Sequence, residues 1–338
     1  MNSLLRECLR DLRVEGVEDP RLWERIVVVV NYGQVPRRVT EPDRGFKLLL
    51  LDERGRTQWF GRCAWASLPA MRREVDVLLQ LREDPFAARH IPETRVTNRP
   101  PLFLQVSRYL GDVSYGRTYD TLAPAEWGND VREIEALSQR LMQTATERVP
   151  ILSESPGITQ REWVLEGDLR TLRDSGFDRA LVRMLERAVM PAANATAELQ
   201  HGDLWPANVL RAEGRWWLID FAECGVVWTP LYDLFHLIST PPARATRRWY
   251  GEQLDRSDAW TVARFGALKD AAIPRGLDVT TVGSCLVYYL LHLTAYRMRP
   301  GVPADISTEN RVELERMAQW LLRHDGNPTD LLAAAFEG

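Results

Sequence analysis

The chain changes rhythm about a third of the way along. Up to residue 106, apolar positions fall in short runs or alternate with polar ones. Beyond that point they recur every three or four residues. Residues 26–30, Phe46–Leu51 and residues 57–66 are short apolar or alternating runs, and the pattern predicts three strands. Asp52-Glu53-Arg54-Gly55-Arg56 between the last two has the composition of a hairpin turn. Ahead of them, Leu4, Leu5, Cys8, Leu9 and Leu12 share a helical spacing and predict a short first helix. Ser67-Leu68-Pro69 opens another helix, with Ser as its cap and Met71, Val75, Leu78 and Leu79 on one face. Ile91-Pro92 and Arg99-Pro100-Pro101 punctuate a loop, and residues 102–106 read as the next strand.

The remainder predicts helices. One face is lined by Val131, Ile134, Leu137, Leu141 and Met142, another by Leu181, Met184, Leu185 and Val189. Val282, Leu286, Tyr289, Leu293 and Tyr296 line a third, and Val312, Met317, Trp320 and Leu321 a fourth. Stripes of this kind are core positions, so Tyr289 and His292 are given no ligand role. The result is an α+β chain with a small β-rich first lobe and a larger, mainly helical second one. A length of 338 residues fits two domains.

Charge narrows the partners. Lys and Arg total 43 against 47 Asp and Glu, interleaved along the chain, so no basic face for nucleic acid is readable. Cys8, Cys63, Cys224 and Cys285 lie far apart without CxxC spacing, which argues against a zinc site or a disulfide framework. Residues 1–25 lack the apolar core of a signal peptide, and the strongest apolar runs are strand-sized. These features predict a cytoplasmic protein that meets neither nucleic acid nor membrane; they say nothing of oligomeric state.

Chemistry concentrates in His201-Gly202-Asp203-Leu204-Trp205-Pro206-Ala207-Asn208-Val209-Leu210 and the following Leu218-Ile219-Asp220-Phe221. A strand–turn–strand return through Gly214 brings Asn208 and Asp220 together as hard oxygen ligands. Mg²⁺ takes that kind of site, with phosphates and water completing its shell. Asp203 is left to orient a hydroxyl and accept its proton. Phosphoryl transfer needs these parts and little covalent chemistry. The plainer alternative is a polar loop that uses Asn and Asp for turns.

On these residues, and on Pro230-Leu231-Tyr232-Asp233-Leu234 beyond them, the chain resembles the aminoglycoside phosphotransferase and choline kinase family of the protein-kinase-like fold. The resemblance implies an N-terminal nucleotide-clasping lobe over residues 1–107, a hinge at 108–111 and a catalytic and acceptor-binding lobe over 112–338. It implies ATP, with GTP as the alternative nucleotide, Mg²⁺, and a small-molecule hydroxyl as acceptor. It makes Asp203 the base and His201 its loop-holding neighbour. It places Asn208 and Asp220 on the metal, Asp233 in a structural role, and Tyr109 in the hinge that meets the adenine edge through its backbone. The chain departs from the family in two places. No Gly-rich phosphate loop is present, Asn31-Tyr32-Gly33-Gln34 and Asp43-Arg44-Gly45 offering one glycine each. Where the family has a strand lysine, Trp59-Phe60-Gly61-Arg62 ends in arginine, with Glu74 matching the lysine's ion-pair partner. Arginine brings a planar fork in place of a point charge, and Lys47 on the neighbouring strand is the other available cation. Arg62 leaves a second class of function open, a nucleotide-binding pseudokinase with a regulatory or assembly role. For the acceptor, Glu162, Glu166 and Asp168 offer negative charge and Arg297 and Arg299 oppose it. Glu223, three after Asp220, faces either metal and acceptor or solvent.

Overall fold

The computed structural model describes residues 7–9, 11–12, 27–29, 46–51, 54, 56–64, 69–99, 102–111, 114–149, 158–240, 250, 257–298 and 304–336. The glycine segments at 31–34 and 43–45, Leu4 and Leu5, most of the 52–56 turn, Ser67, Leu68 and Arg299 lie outside them, as do the side chains of Lys47, Met71 and Glu162. The chain forms two compact units. Unit 1 comprises Met1–Ser114 together with Asn208–Glu223; unit 2 comprises Tyr115–Ala207 and Cys224–Gly338. The chain therefore enters unit 1 twice, the second time with the Asn208-to-Asp220 segment.

Unit 1 is built on an antiparallel sheet in the order β1-β2-β3-β5-β4, from β1 (Val27–Val29), β2 (Phe46–Leu51), β3 (Thr57–Ala64), β4 (Thr94–Arg99) and β5 (Leu102–Arg108). Two of these differ from expectation. β4 forms where the sequence suggests a loop: Thr94-Arg95-Val96-Thr97 alternates well enough to pair with β5 as an edge strand. β5 continues to Arg108, so the first residue of the expected hinge is sheet.

α1 (Pro69–Leu81) packs Val75 against Phe103 of β5 and Val96 of β4. Its buried side, Glu74, Val75, Val77, Leu78 and Leu81, spans an arc of the helix that excludes Leu79 at 100° per residue. Leu79 is accordingly exposed. β6 (Val209–Ala212) and β7 (Arg215–Leu218) form a separate two-stranded ladder. The Leu218 amide donates to His90 O at 2.9 Å and His90 Nδ1 meets Trp216 O at 2.8 Å, which pins this hairpin to the segment after α1.

Unit 2 is helical. Its labelled helices are α2 (Pro124–Arg148), α3 (Ile158–Asp174), α4 (Arg179–Ala188), α5 (Tyr232–Ile238), α6 (Ala259–Ala272), α7 (Val279–Arg297), α8 (Ala304–Arg323) and α9 (Thr329–Phe336). α7 is the centre of the packing. It is long and apolar enough to cross a bilayer, yet 78% of that stretch is buried among other helices of the unit. Gly283 lets α9's leading segment approach: a Cβ there would sit 2.1 Å from Pro328 O. Of the expected stripe on α8, Met317, Trp320 and Leu321 are buried, while Val312 falls outside the buried arc and is exposed.

Candidate active site

Unit 1 encloses a cavity of about 290 Å³. Strand alternation explains its wall: Phe60 and Arg62 share one face of β3. The antiparallel register sets Ser107 opposite Phe60 and Gln105 opposite Arg62. Glu74 and Leu78 close it from α1, residues 108–111 rim it, and Asn208, Leu210, Ile219 and Asp220 come from the hairpin.

Arg62 is the centre of the polar contacts. Its Nη1 donates to Glu74 Oε2 at 2.9 Å and its Nη2 to Asp220 Oδ2 at 2.8 Å. One guanidinium thus bridges β3, α1 and the segment after β7. Burial works against its charge, but Glu74 and Asp220 outweigh burial and hold its pKa above the ordinary arginine range. Burial also keeps the Glu74 carboxyl above its ordinary range, against the pull of Arg62 and hydrogen bonds from the Gln105 side chain and the Phe221 amide. That last bond ties α1 directly to the backbone beside Asp220. Asp220 itself has φ 65°, a left-handed conformation that costs a non-glycine residue energy. The surrounding contacts hold it there.

The hairpin brings the two expected metal ligands to one place. Val209 pairs with Leu218, and the Ile219 amide donates to Asn208 O at 3.1 Å. Asn208 and Asp220 thereby flank the open end of the ladder and line the same cavity. An amide oxygen and a carboxylate oxygen on one wall are a donor set that suits Mg²⁺ completed by phosphates. Among the described residues no cluster of three or more His, Cys, Asp or Glu is placed to hold a metal without such help.

Tyr109 lines the cavity, but its amide donates to Gln58 O at 2.8 Å, extending the sheet. The adenine-facing backbone role expected of it through that N–H is therefore already taken by β3. Gly111, at φ 110°, ends the rim.

In unit 2 the loop carrying His201 and Asp203 is held from below. Asp233, at the start of α5, accepts from the His201 amide at 2.6 Å and the Gly202 amide at 2.9 Å. Its own amide donates to Gln200 Oε1 at 3.1 Å. Burial pushes the Asp233 carboxyl up to about 7, against those two backbone donors. Gly202 takes φ 86°, which only glycine adopts at no steric cost. His201 is fully buried, and its Nδ1 accepts from the Asp203 amide at 3.4 Å. The Asp203 side chain is half-buried, and Trp205 next to it is 40% exposed.

Sequence reasoning missed Gln105, Gln200 and the Phe221 amide. Gln105 was within reach of it, since β5 alternation places it on the face of Arg62's partner; a backbone donor leaves no residue-type signal at all. Of the acids considered for the acceptor, Asp168 is buried against His292 Nδ1 at 2.7 Å and Glu166 pairs on the surface with Arg170. Asp168 is thus committed to the helical core, while Glu166 stays on the surface. Glu223 is half-buried at the end of the turn after Asp220.

A unit built on a small antiparallel sheet and a larger helical unit are the parts of a protein-kinase-like fold. The chain belongs to the phosphotransferase enzyme family, whose pattern it matches over residues 49–266. No curated protein matches it in sequence. Among solved structures it is similar to a choline kinase from Cryptosporidium parvum Iowa II, at TM-score 0.60 and 10% identity over 99% of each chain. It is also similar to a Plasmodium vivax ethanolamine kinase, at TM-score 0.57 and 10% identity over 91% of this chain and 85% of that one. A third, the gentamicin complex of APH(2")-IIa, has TM-score 0.50 and 12% identity over 94% of this chain and 96% of that one.

Proposed function

We propose that this protein is an ATP- and Mg²⁺-dependent kinase that transfers the γ-phosphate to a hydroxyl of a small molecule. The observation that carries the reading is the cavity shared by Arg62, Glu74, Asn208 and Asp220 beside residues 108–111. Residues 108–111 and Phe60 receive the nucleobase, and Arg62 offers its guanidinium to the α- or β-phosphate. Asn208 and Asp220 hold Mg²⁺, which when bound neutralises the phosphate charge that grows in the transition state. Asp203 orients the acceptor hydroxyl and takes its proton. His201 and Asp233 keep that loop in shape.

Choline kinase and ethanolamine kinase are named for amino alcohols, and gentamicin, bound in the third structure, carries both amines and hydroxyls. Cationic alcohols are therefore the acceptors of first choice here. Thermal unfolding with ATP or GTP, with Mg²⁺ or with chelator, tests the nucleotide half of the reading. A ligand held at a hundred times its dissociation constant stabilises by about 2.7 kcal/mol. Metal-dependent stabilisation is expected in the wild type and not in Asp220→Ala; its absence with both nucleotides contradicts the reading. Stabilisation without ADP formation on any of a panel of amino alcohols, sugars and aminoglycosides favours the pseudokinase.

A further inference from the structure

The cation that should serve the phosphates is also a competitor for the metal. Arg62 is bonded at both ends, to Glu74 and to Asp220, at 2.9 and 2.8 Å. The Asp220 oxygen it holds is one that a metal would need. Its other carboxylate, Glu74, is nearly sealed from solvent, whereas Arg62 and Asp220 keep 24% and 30% of their side chains exposed. The inner contact is fixed and the outer one opens toward the cavity. Glu74 is also anchored by Gln105 and by the Phe221 amide, so it cannot follow Arg62 outward.

We propose that Arg62 is a phosphate-operated latch on Asp220, so that nucleotide must bind before the divalent cation does. This rests on the reading of Asp220 as a metal ligand and of the cavity as a nucleotide site. A divalent ion arriving alone must displace a guanidinium from Asp220 and then sit beside that displaced positive charge. With one arginine against two carboxylates, the cluster carries at most a single net negative charge, a weak attractor for a free dication. Nucleotide phosphates reverse both terms. They supply several negative charges and give the guanidinium's remaining N–H donors, which lie in one plane, a bidentate partner. Asp220 is then released to the metal, while Glu74 retains the other end of Arg62. A lysine at this position would present a compact ammonium with no fixed fork. The latch is thus a property of the arginine that distinguishes this chain.

Free Mn²⁺, counted by its electron paramagnetic resonance signal, tests the order of binding on the whole protein with and without ADP. In the wild type, ADP should tighten Mn²⁺ binding at least tenfold beyond the affinity of ADP alone for the ion. Arg62→Gln, which keeps a polar side chain but removes the charge, should bind Mn²⁺ without nucleotide at least tenfold tighter than the wild type. Wild-type protein that binds Mn²⁺ equally well with and without ADP overturns the latch, and needs no variant to do so. Asp220→Asn should remove the protein's contribution in every case. If Asp220→Asn leaves Mn²⁺–ADP binding unchanged, the metal assignment itself falls. If it abolishes that binding while Arg62→Gln matches the wild type without nucleotide, only the latch falls.

Discussion

The two places where chemistry is expected are held by different means. In unit 1 the side chains hold one another: Arg62, Glu74 and Asp220 form ion pairs, which the proposed function hands over to phosphate and metal. In unit 2 the Asp203 loop is held by its backbone, through two amides bonded to the buried carboxylate of Asp233. The first arrangement is exchangeable and half open to solvent. The second is sealed, with Asp233 2% exposed. A base benefits from a rigid loop, because catalytic geometry tolerates little displacement. A nucleotide site benefits from groups whose partners can be traded.

This contrast can be broken in four ways, taken from the largest expected effect down. Asp233→Ala strands two amides in a buried site, and each uncompensated donor costs about 1–3 kcal/mol. Chemical denaturation should show a loss of several kcal/mol; a loss under about 1 kcal/mol means the loop is held by something else. The second test is His236, buried beside Tyr232 and Tyr289. Burial lowers its pKa from 6.5 to about 3, with Arg297 and His201 adding to the shift. The unfolded chain therefore binds a proton that the folded chain refuses, between those two values. Stability from this group is complete above pH 6.5 and falls as pH drops toward 3, by roughly 1.4 kcal/mol per unit. His236→Leu should flatten that slope by one proton's worth; an unchanged slope between pH 4 and 6 contradicts it.

A third and smaller effect is expected at the α7 cap, where Asp278 Oδ1 accepts from the Thr281 amide at 2.7 Å. Asp278→Ala should cost about 1 kcal/mol, measurable as a shift in the denaturation midpoint at unchanged slope. The fourth sharpens the contrast most. Arg62→Lys keeps a cation in the cluster and should change global stability by less than about 1 kcal/mol, while weakening ATP affinity measurably by calorimetry. A large stability loss with unaltered ATP affinity would place Arg62 in the scaffold, erasing the distinction between the two regions.

Much of this was legible in the chain itself. The hairpin through Gly214, the Arg62–Glu74 pair and the structural role of Asp233 follow from strand alternation, spacing and the family resemblance. What the sequence hid has physical causes. β4 reads as loop because Arg and Asn interrupt it and two prolines end it, yet an edge strand needs only one partner. Leu79 and Val312 read as core because apolar residues are counted before the helical arc is drawn. The engagement of Tyr109 with Gln58, and of Phe221 with Glu74, runs through backbone amides that every residue carries. The Arg62–Asp220 bond joins positions 158 residues apart, and no local pattern encodes it.

In the proposed function Asp203 is the base of a phosphoryl transfer whose nucleotide site lies on other residues. It is tested most directly by measuring turnover and ATP affinity together in Asp203→Asn, with a cationic alcohol that the wild type phosphorylates. The expected result is turnover reduced by about two to four orders of magnitude, the usual cost of losing a general base, with ATP affinity within about twofold of wild type. Turnover near the wild-type value, or a loss explained wholly by weaker ATP binding, would contradict it.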